Sequence, residues 1–577
     1  MIGVLLVVLS VLAQCSSDEP LPTVSSPIST LTPAPTPTST PGPTATPFAT
    51  PTAIPEPTSF VLPDNLERGG ILRFAVPEGP PHMDPHLTVS SGLLSWGAAQ
   101  AYSRLFTFDT SDGNALVICD LCESWTQSAP LTFSIQLRDD VVWQNLPPLN
   151  GRALTAQDVA FSLNRQATSG YPNSDLFSNV SEFTAVGELK LLIRLKAPDS
   201  EILEKLADSH SRIVAPEAVN VNGDLRSGPT VGTGPWVANE VQADLARMII
   251  NPDYYKDEIP YLDGLDIQVI PSGSTRIAGV RSRVIDLASG SFDAVNEARK
   301  RFDDIEWTGV PNLSAGVEVA INTTRSPMNT LAVREAMMLT WDPMIFATEY
   351  SDGSLADAIE NPSIQTPDPP FGQIGTGVPL TRFDWQLPTD ELASRFNNPD
   401  EANSLLSSAA LKPTDNVVIK VGEFGEDYID QANAMAEGLA SVGIRADVER
   451  VTTRVFGDDV WIGGDFDIAV GAPPPVSSTT GYLFAVHHSN GPWNSTGYAD
   501  PEIDRLIEAQ AKEYDAVKRG DLLIDLQRRI LAGSHRFIAQ SRTTYWMWWN
   551  YVNDFNPVTP RGDTDFLTRV WMTERPS

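Results

Sequence analysis

Cys119 and Cys122 stand three residues apart, and His82 and His86 stand four apart with Asp84 between them. Thiols at the first spacing can pair, cycle redox states or form half a zinc site, and imidazoles at the second can share a metal on one helical face. Pro85 interrupts a regular helix across the histidines, so metal binding is set aside there. No second C-x-x-C exists to complete four thiolates, and in an exported chain the pair reads as a local disulfide. Its short loop would mainly stiffen the turn before Glu123-Ser124-Trp125. For catalysis the chain has no G-x-S-x-G, no H-E-x-x-H and no phosphate-binding glycine loop. Acidic pairs are too numerous to single out a glycosidase dyad. Trp546, Trp548 and Trp549, with Tyr545 and Tyr551, form a dense aromatic strand that reads as core packing or, more sharply, as a cleft wall.

These residues need elements to hold them. The 577 residues carry 40 basic and 73 acidic side chains, a net charge of −33. That length holds about three to four domain-sized units. The acidity argues against a nucleic-acid binder, against lipid docking through a basic face and against a small anionic cargo. Residues 2–13 are apolar except for Ser10, too short to span a membrane but suited to the core of a secretory signal. Leu12-Ala13-Gln14-Cys15 resembles a bacterial lipobox, with Cys15 as the lipidated residue. Residues 20–63 hold 13 Pro and 11 Thr with Glu56 as the only charge, a semi-rigid spacer that packs no core. Order starts near Gly69-Gly70. Strands are expected at residues 71–76, 132–137, 190–195 and 444–451. Helices are expected after a Thr155 cap and at residues 332–339, 432–442 and 503–507.

The motifs that follow identify a family. Gly69-Gly70-Ile71-Leu72-Arg73 with Asp84-Pro85-His86, Tyr102-Ser103-Arg104-Leu105-Phe106 and Glu123-Ser124-Trp125 come first. Leu154-Thr155-Ala156-Gln157-Asp158-Val159, Val231-Gly232-Thr233-Gly234-Pro235-Trp236 and Asn251-Pro252-Asp253-Tyr254-Tyr255 follow in the same order. Ala320-Ile321-Asn322-Thr323-Thr324, Asn398-Pro399-Asp400-Glu401-Ala402 and Tyr498-Ala499-Asp500-Pro501-Glu502-Ile503-Asp504 complete it. The chain resembles the extracytoplasmic solute-binding proteins of ABC importers, family 5, which includes dipeptide-, oligopeptide- and nickel-binding members.

The resemblance implies an α/β, two-lobed periplasmic-binding-protein-like fold of the flytrap type, with mixed sheets and an extra subdomain in the first lobe. It divides the chain into a signal (1–15), a stalk (16–63), lobe I (64–312, with a subdomain at about 111–229), lobe II (313–539) and a return to lobe I (540–577). It implies a receptor rather than an enzyme, extracytoplasmic and held by the Cys15 lipid. The expected partners are a small or peptide-like solute and an ABC permease, with no cofactor, no metal and no nucleic acid, in a monomer. A sensing receptor of the same fold, or a tethered hydrolase, are the alternatives. His487-His488 falls where the family has a strand-to-loop transition without ligands.

Family pockets imply ligand contact at Ser90, Ser91 and Gly92 in lobe I. The Arg that meets a peptide carboxylate in lobe II is missing from Gly422-Glu423-Phe424-Gly425-Glu426-Asp427-Tyr428, and the acid that meets a peptide amine is missing from residues 473–480. A buried peptide terminus without a counter-charge is costly, so free α-peptides are expected to bind weakly. Trp385, Phe424, Gly471, Tyr482 and Trp493 are the expected lobe II contacts, suited to sugars or to neutral or cationic organic ligands.

Overall fold

The structure is a computed structural model and describes residues 65–90, 92–95, 100–109, 116–256, 258–343, 375–409, 416–474, 478–557 and 565–575. Cys15, Ser91 and the segments 1–15 and 16–63 lie outside the described residues.

In chain order the first strands are β1 (Ile71–Val76), β2 (Phe106–Asp109), β3 (Leu116–Cys119), β4 (Cys122–Ala129) and β5 (Thr132–Leu137). Next come β6 (Val180–Ala185), β7 (Lys190–Leu195), β8 (Trp236–Val241), β9 (Leu245–Ile250), β10 (Gly264–Val269) and β11 (Leu287–Gly290). Then come β12 (Ile305–Ile321), β13 (Asn416–Gly422), β14 (Arg445–Val451), β15 (Ile468–Gly471) and β16 (Arg536–Trp549), followed by the short pair β17 (Val552–Asn553) and β18 (Trp571–Met572). One sheet of ten strands takes the order β14-β13-β15-β12-β16-β11-β1-β10-β9-β8. A separate antiparallel sheet, β4-β5-β7-β6, lies in the long excursion between β1 and β8.

Alternation of apolar residues builds these strands: Phe133, Ile135 and Leu137 of β5 are buried while Thr132, Ser134 and Gln136 are half-exposed. The helix Ala156–Gln166 covers that small sheet. Its start is a capping box in which Thr155 accepts from Asp158 and Asp158 accepts from the Thr155 amide. Arg152 grips Asp158 with two hydrogen bonds of 2.7 and 2.8 Å.

The three largest cores among the described residues follow the topology. One fills the excursion around Trp143, Phe133 and Leu163. One lies under β1, β10 and β11 with Trp236 and Trp549. One lies under β13 and β15 with Ile419, Ile468 and Phe537. The aromatic strand belongs to this packing. Trp549 is buried and donates from Nε1 to the Val280 carbonyl at 2.8 Å, while Trp546 and Trp548 pack on Phe555.

β12 and β16 are the long antiparallel pair that runs through both halves. Their register shifts between Asn312 and Gly316. A Cβ on Gly316 would stand 2.0 Å from the Gln540 carbonyl oxygen, so only glycine permits this close crossing. Cys119 and Cys122 are joined as a disulfide at the β3–β4 corner. Asp120 between them accepts from the Arg104 amide, the Tyr255 hydroxyl and Lys256 Nζ at 3.0, 2.6 and 2.7 Å. Among the described residues, no helix is long and apolar enough to cross a membrane.

Candidate functional site

An open α/β sheet leaves a crevice at the carboxyl ends of its strands where neighbouring connections leave for opposite faces. Two such edges point at one another here. β15 runs from Ile468, opposite Ile321, to Gly471, opposite Glu318. β11 runs from Leu287, opposite Trp548, to Gly290, opposite Tyr545, and Tyr545 is level with Gly309 of β12. Both strands therefore end facing the interval from Gly309 to Glu318, roughly 30 Å of extended chain. Among the described strands, only β12 and β16 continue across it.

The lobe II edge is aromatic. The helix Glu426–Ser441 after β13 packs on the face of Ile419 and Val421, whereas Phe456 and Val460, after β14, pack on the opposite face against Ala469. β13 and β15 both end in glycine because rings lie on their backbones. A Cβ would stand 2.3 Å from the Phe424 ring at Gly422 and 2.3 Å from the Phe456 ring at Gly471. Phe424 and Phe456 meet edge-on at 5.3 Å, Trp461 stacks on Phe424 at 6.1 Å, and Trp461 Nε1 donates to the Ala472 carbonyl at 3.1 Å. Lys420 holds the Trp461 segment by donating to Asp459 and to the Asp465 carbonyl at 2.9 and 2.6 Å. Phe424 and Trp461 stay half-buried, and Glu423 is exposed beside them. Such a shelf can stack planar or aliphatic groups.

The lobe I edge is polar. Gly92 fits against Gly79 just beyond β1, where a Cβ would stand 2.6 Å from the Gly79 carbonyl carbon. The Ser90 hydroxyl accepts from the Gly92 amide at 3.2 Å, and the Ser90 carbonyl accepts from Leu93 at 3.1 Å, so Ser90 serves as the cap of a turn. Behind it Asp84 accepts two hydrogen bonds from Arg165, at 3.0 and 2.6 Å. His86 Nδ1 accepts from Arg165 and its Nε2–H donates to the Arg212 carbonyl, both at 2.9 Å. Both ring nitrogens are thus engaged. Burial, with Arg165 alongside, lowers the His86 pKa to about 4.

A buried polar seam also joins the excursion between β1 and β8 to the segment that precedes β16. Thr480 N donates to Glu201 at 2.8 Å, and Arg519 donates to Glu201 and Glu204, both at 2.9 Å. Ser200 N donates to the Ala511 carbonyl at 3.1 Å.

The expected contact residues divide accordingly. Gly471 and Phe424 meet at the lobe II shelf, and Ser90 and Gly92 stand at the lobe I edge. Trp385 does not join them. It is buried under the Arg519 guanidinium, 5.0 Å from its ring, and so carries an internal cation. Tyr482 is buried as well, donating to Glu318 at 3.1 Å; burial and that carboxylate push its pKa well above 10. Trp493 is half-buried in the loop before Tyr498, its amide donating to Ala485 at 2.9 Å. Phe456 and Trp461 of the shelf were not anticipated. Their only signal is a pair of aromatic residues in a short segment between two strands.

Comparison with known proteins matches residues 117–495 to the family described as bacterial extracellular solute-binding proteins, family 5 Middle. The nickel-binding periplasmic protein of Escherichia coli (strain K12) is 27% identical over 302 residues, 51% of this chain and 55% of the relative. The chain thus spans about half the length of that relative. The probable di/tripeptide-binding protein 5 of Pseudomonas aeruginosa (strain UCBPP-PA14) is 25% identical, over 70% of this chain and 77% of the relative. The structure of HbpA2 from Haemophilus parasuis superposes with a TM-score of 0.73 at 19% identity, over 88% of this chain and 100% of that one.

Proposed function

Since the chain belongs to family 5 of the bacterial extracellular solute-binding proteins, we propose that it captures a small organic solute between its lobes and delivers it to an ABC import permease. The observation that carries this reading is the pair of carboxyl-terminal strand edges, aimed at each other across an interval bridged by two strands. Bending at the β12–β16 irregularity brings the edges together around a ligand. The permease then distinguishes loaded from empty protein by the state the solute favours.

Lobe I is assigned residues 64–312 and 540–577, and lobe II residues 313–539. The shelf of Phe424, Trp461 and Gly471 forms one wall of the site, and the Ser90–Gly92 turn lies opposite. Its work is binding rather than catalysis, like that of the family's other members, and it acts as a monomer. Cys15 carries a lipid, and the Pro/Thr-rich stalk holds the lobes off the membrane.

Native mass spectrometry of the purified protein tests the central reading. The expected result is a co-purified solute released unaltered, and a thermal midpoint that rises when the solute is restored. Chemical turnover of that solute would overturn it. Metabolic labelling with a radioactive fatty acid, compared between the native chain and Cys15→Ser, tests the anchor.

A further inference from the structure

Between β10 and β11 the chain forms an element that none of the assignments above uses. β10 ends at Val269, and after Ile270 and Pro271 the helix Gly273–Arg281 begins. Its first turn therefore stands at the lobe I carboxyl edge, beside β1, which pairs with β10. Ser272 caps it by accepting from the Thr275 amide at 3.3 Å. Ser272 and Ser274 hydroxyls lie 2.9 Å apart, and Thr275 donates to Ser272 at 3.0 Å. All three are exposed. A helix start offers amide N–H groups without intrahelical partners and a partial positive charge.

The second observation is Arg276, 7% exposed. Nε donates to the Ser289 carbonyl at 3.1 Å, and Nη1 to the Ile270 and Pro271 carbonyls at 2.7 and 2.9 Å. These bonds strap the ends of β10 and β11 together. Nη2 takes no part. It makes no hydrogen bond among the described residues, is not sealed from solvent, and lies 3.6 Å from where a Cβ on Gly273 would stand. It is thus aimed over the first helical turn. Among the described residues no carboxylate pairs with Arg276, whereas Arg73, Arg152, Arg165, Arg519 and Arg536 each have one. Arg276 shares this with Arg334, which is also buried and donates to the Gly533 and Met328 carbonyls, but of the two it is Arg276 that stands at the lobe I edge. Burial lowers its pKa with no acid to offset it.

We propose that this corner is an oxyanion subsite, in which Arg276 Nη2, the first amides of the helix and the Ser272–Thr275 hydroxyls hold a carboxylate or phosphate group of the captured solute. The inference rests on the receptor reading and narrows its cargo to solutes bearing such a group. The overall charge of −33 led to the expectation of no small anionic cargo; this corner departs from that expectation, because fields from distant surface charges fade beyond about 8 Å at physiological salt. A built cation and a helix start act at contact.

The test uses the full chain, with inorganic phosphate and acetate as separate probes in calorimetry and chemical-shift titration. One or both probes are expected to bind in the millimolar range. The stronger one tells whether phosphate or carboxylate is the natural group. Ser274→Asp places a carboxylate where the helix start favours it, so the fold survives while probe affinity falls at least tenfold. Arg276→Lys keeps the charge but loses the fork, and probe affinity falls as well. Unchanged affinity in Ser274→Asp, or no binding of either probe to the native chain, overturns the proposal. A co-purified solute that lacks any carboxylate or phosphate also overturns it while leaving the receptor reading intact.

Discussion

The two edges of the cleft are built from opposite materials. In lobe II the strands end in glycines roofed by Phe424, Phe456 and Trp461. In lobe I they end in a serine-capped turn, a hydroxyl-rich helix start and a strapped arginine. One side offers area and stacking, the other hydrogen bonds and charge. On the proposed reading, a ligand held between them would turn its apolar part toward lobe II and its polar part toward lobe I.

The contrast is tested first where the sides are joined. Arg519→Ala leaves Glu201 and Glu204 buried without their cation, and unfolding stability should fall by about 3–5 kcal/mol in urea titration. If the loss is below 1 kcal/mol, the seam does not hold the two lobes together. Next is the lobe II roof. Gly471→Val forces a side chain into the Phe456 ring, with an expected loss of about 3 kcal/mol and of solute binding by calorimetry. Retained binding would show that the shelf does not touch ligand.

Acid should destabilise both sides. Burial lowers His86 to about 4 and His487 to about 3, so each stays neutral in the fold while its unfolded form, near 6.5, takes up a proton. Their contribution is complete above about pH 6.5 and is lost as pH falls toward 4 for His86 and 3 for His487. Chemical denaturation at pH 7 and pH 4.5 should differ by roughly 2–3 kcal/mol for each histidine. His86→Asn should flatten the pH dependence by its share.

Smaller effects separate the walls. Phe424→Ala should weaken solute binding about tenfold, a change of about 1.4 kcal/mol. Ser90→Ala should cost about 1 kcal/mol of stability through the lost cap and change affinity less than twofold. If the two affinity effects come out reversed, the assignment of apolar and polar walls is wrong.

Local patterns made most of the scaffold legible. The strand at residues 71–76 occurs as its apolar run predicted, those at 132–137 and 190–195 as alternation predicted, and the Thr155 cap is present. The helix expected at residues 432–442 is the tail of Glu426–Ser441. Its first turn is acidic and enters from Gly425 without a side-chain cap, so it reads as loop. The order of motifs carried the family. The site was legible only in part, because facing the core or the cleft is not a local property of an aromatic residue. Trp385 lies under an arginine 134 positions away in sequence, and Tyr482 meets a carboxylate from β12. The Arg276 corner left a usable trace in Pro271-Ser272-Gly273-Ser274-Thr275-Arg276, a hydroxyl-rich turn between a strand and a helix.

The two-stranded interval between Gly309 and Glu318 has a mechanical consequence. A plate narrowed to a two-strand waist concentrates its compliance there, while the wider parts on either side move as stiff paddles. The Gly316 crossing, where the main chains touch most closely, is the natural fulcrum. Replacing that glycine would stiffen or fracture the waist without touching either paddle. Under an applied load, the ladder would tear first along Gly309 to Glu318, where among the described strands no third one shares the force.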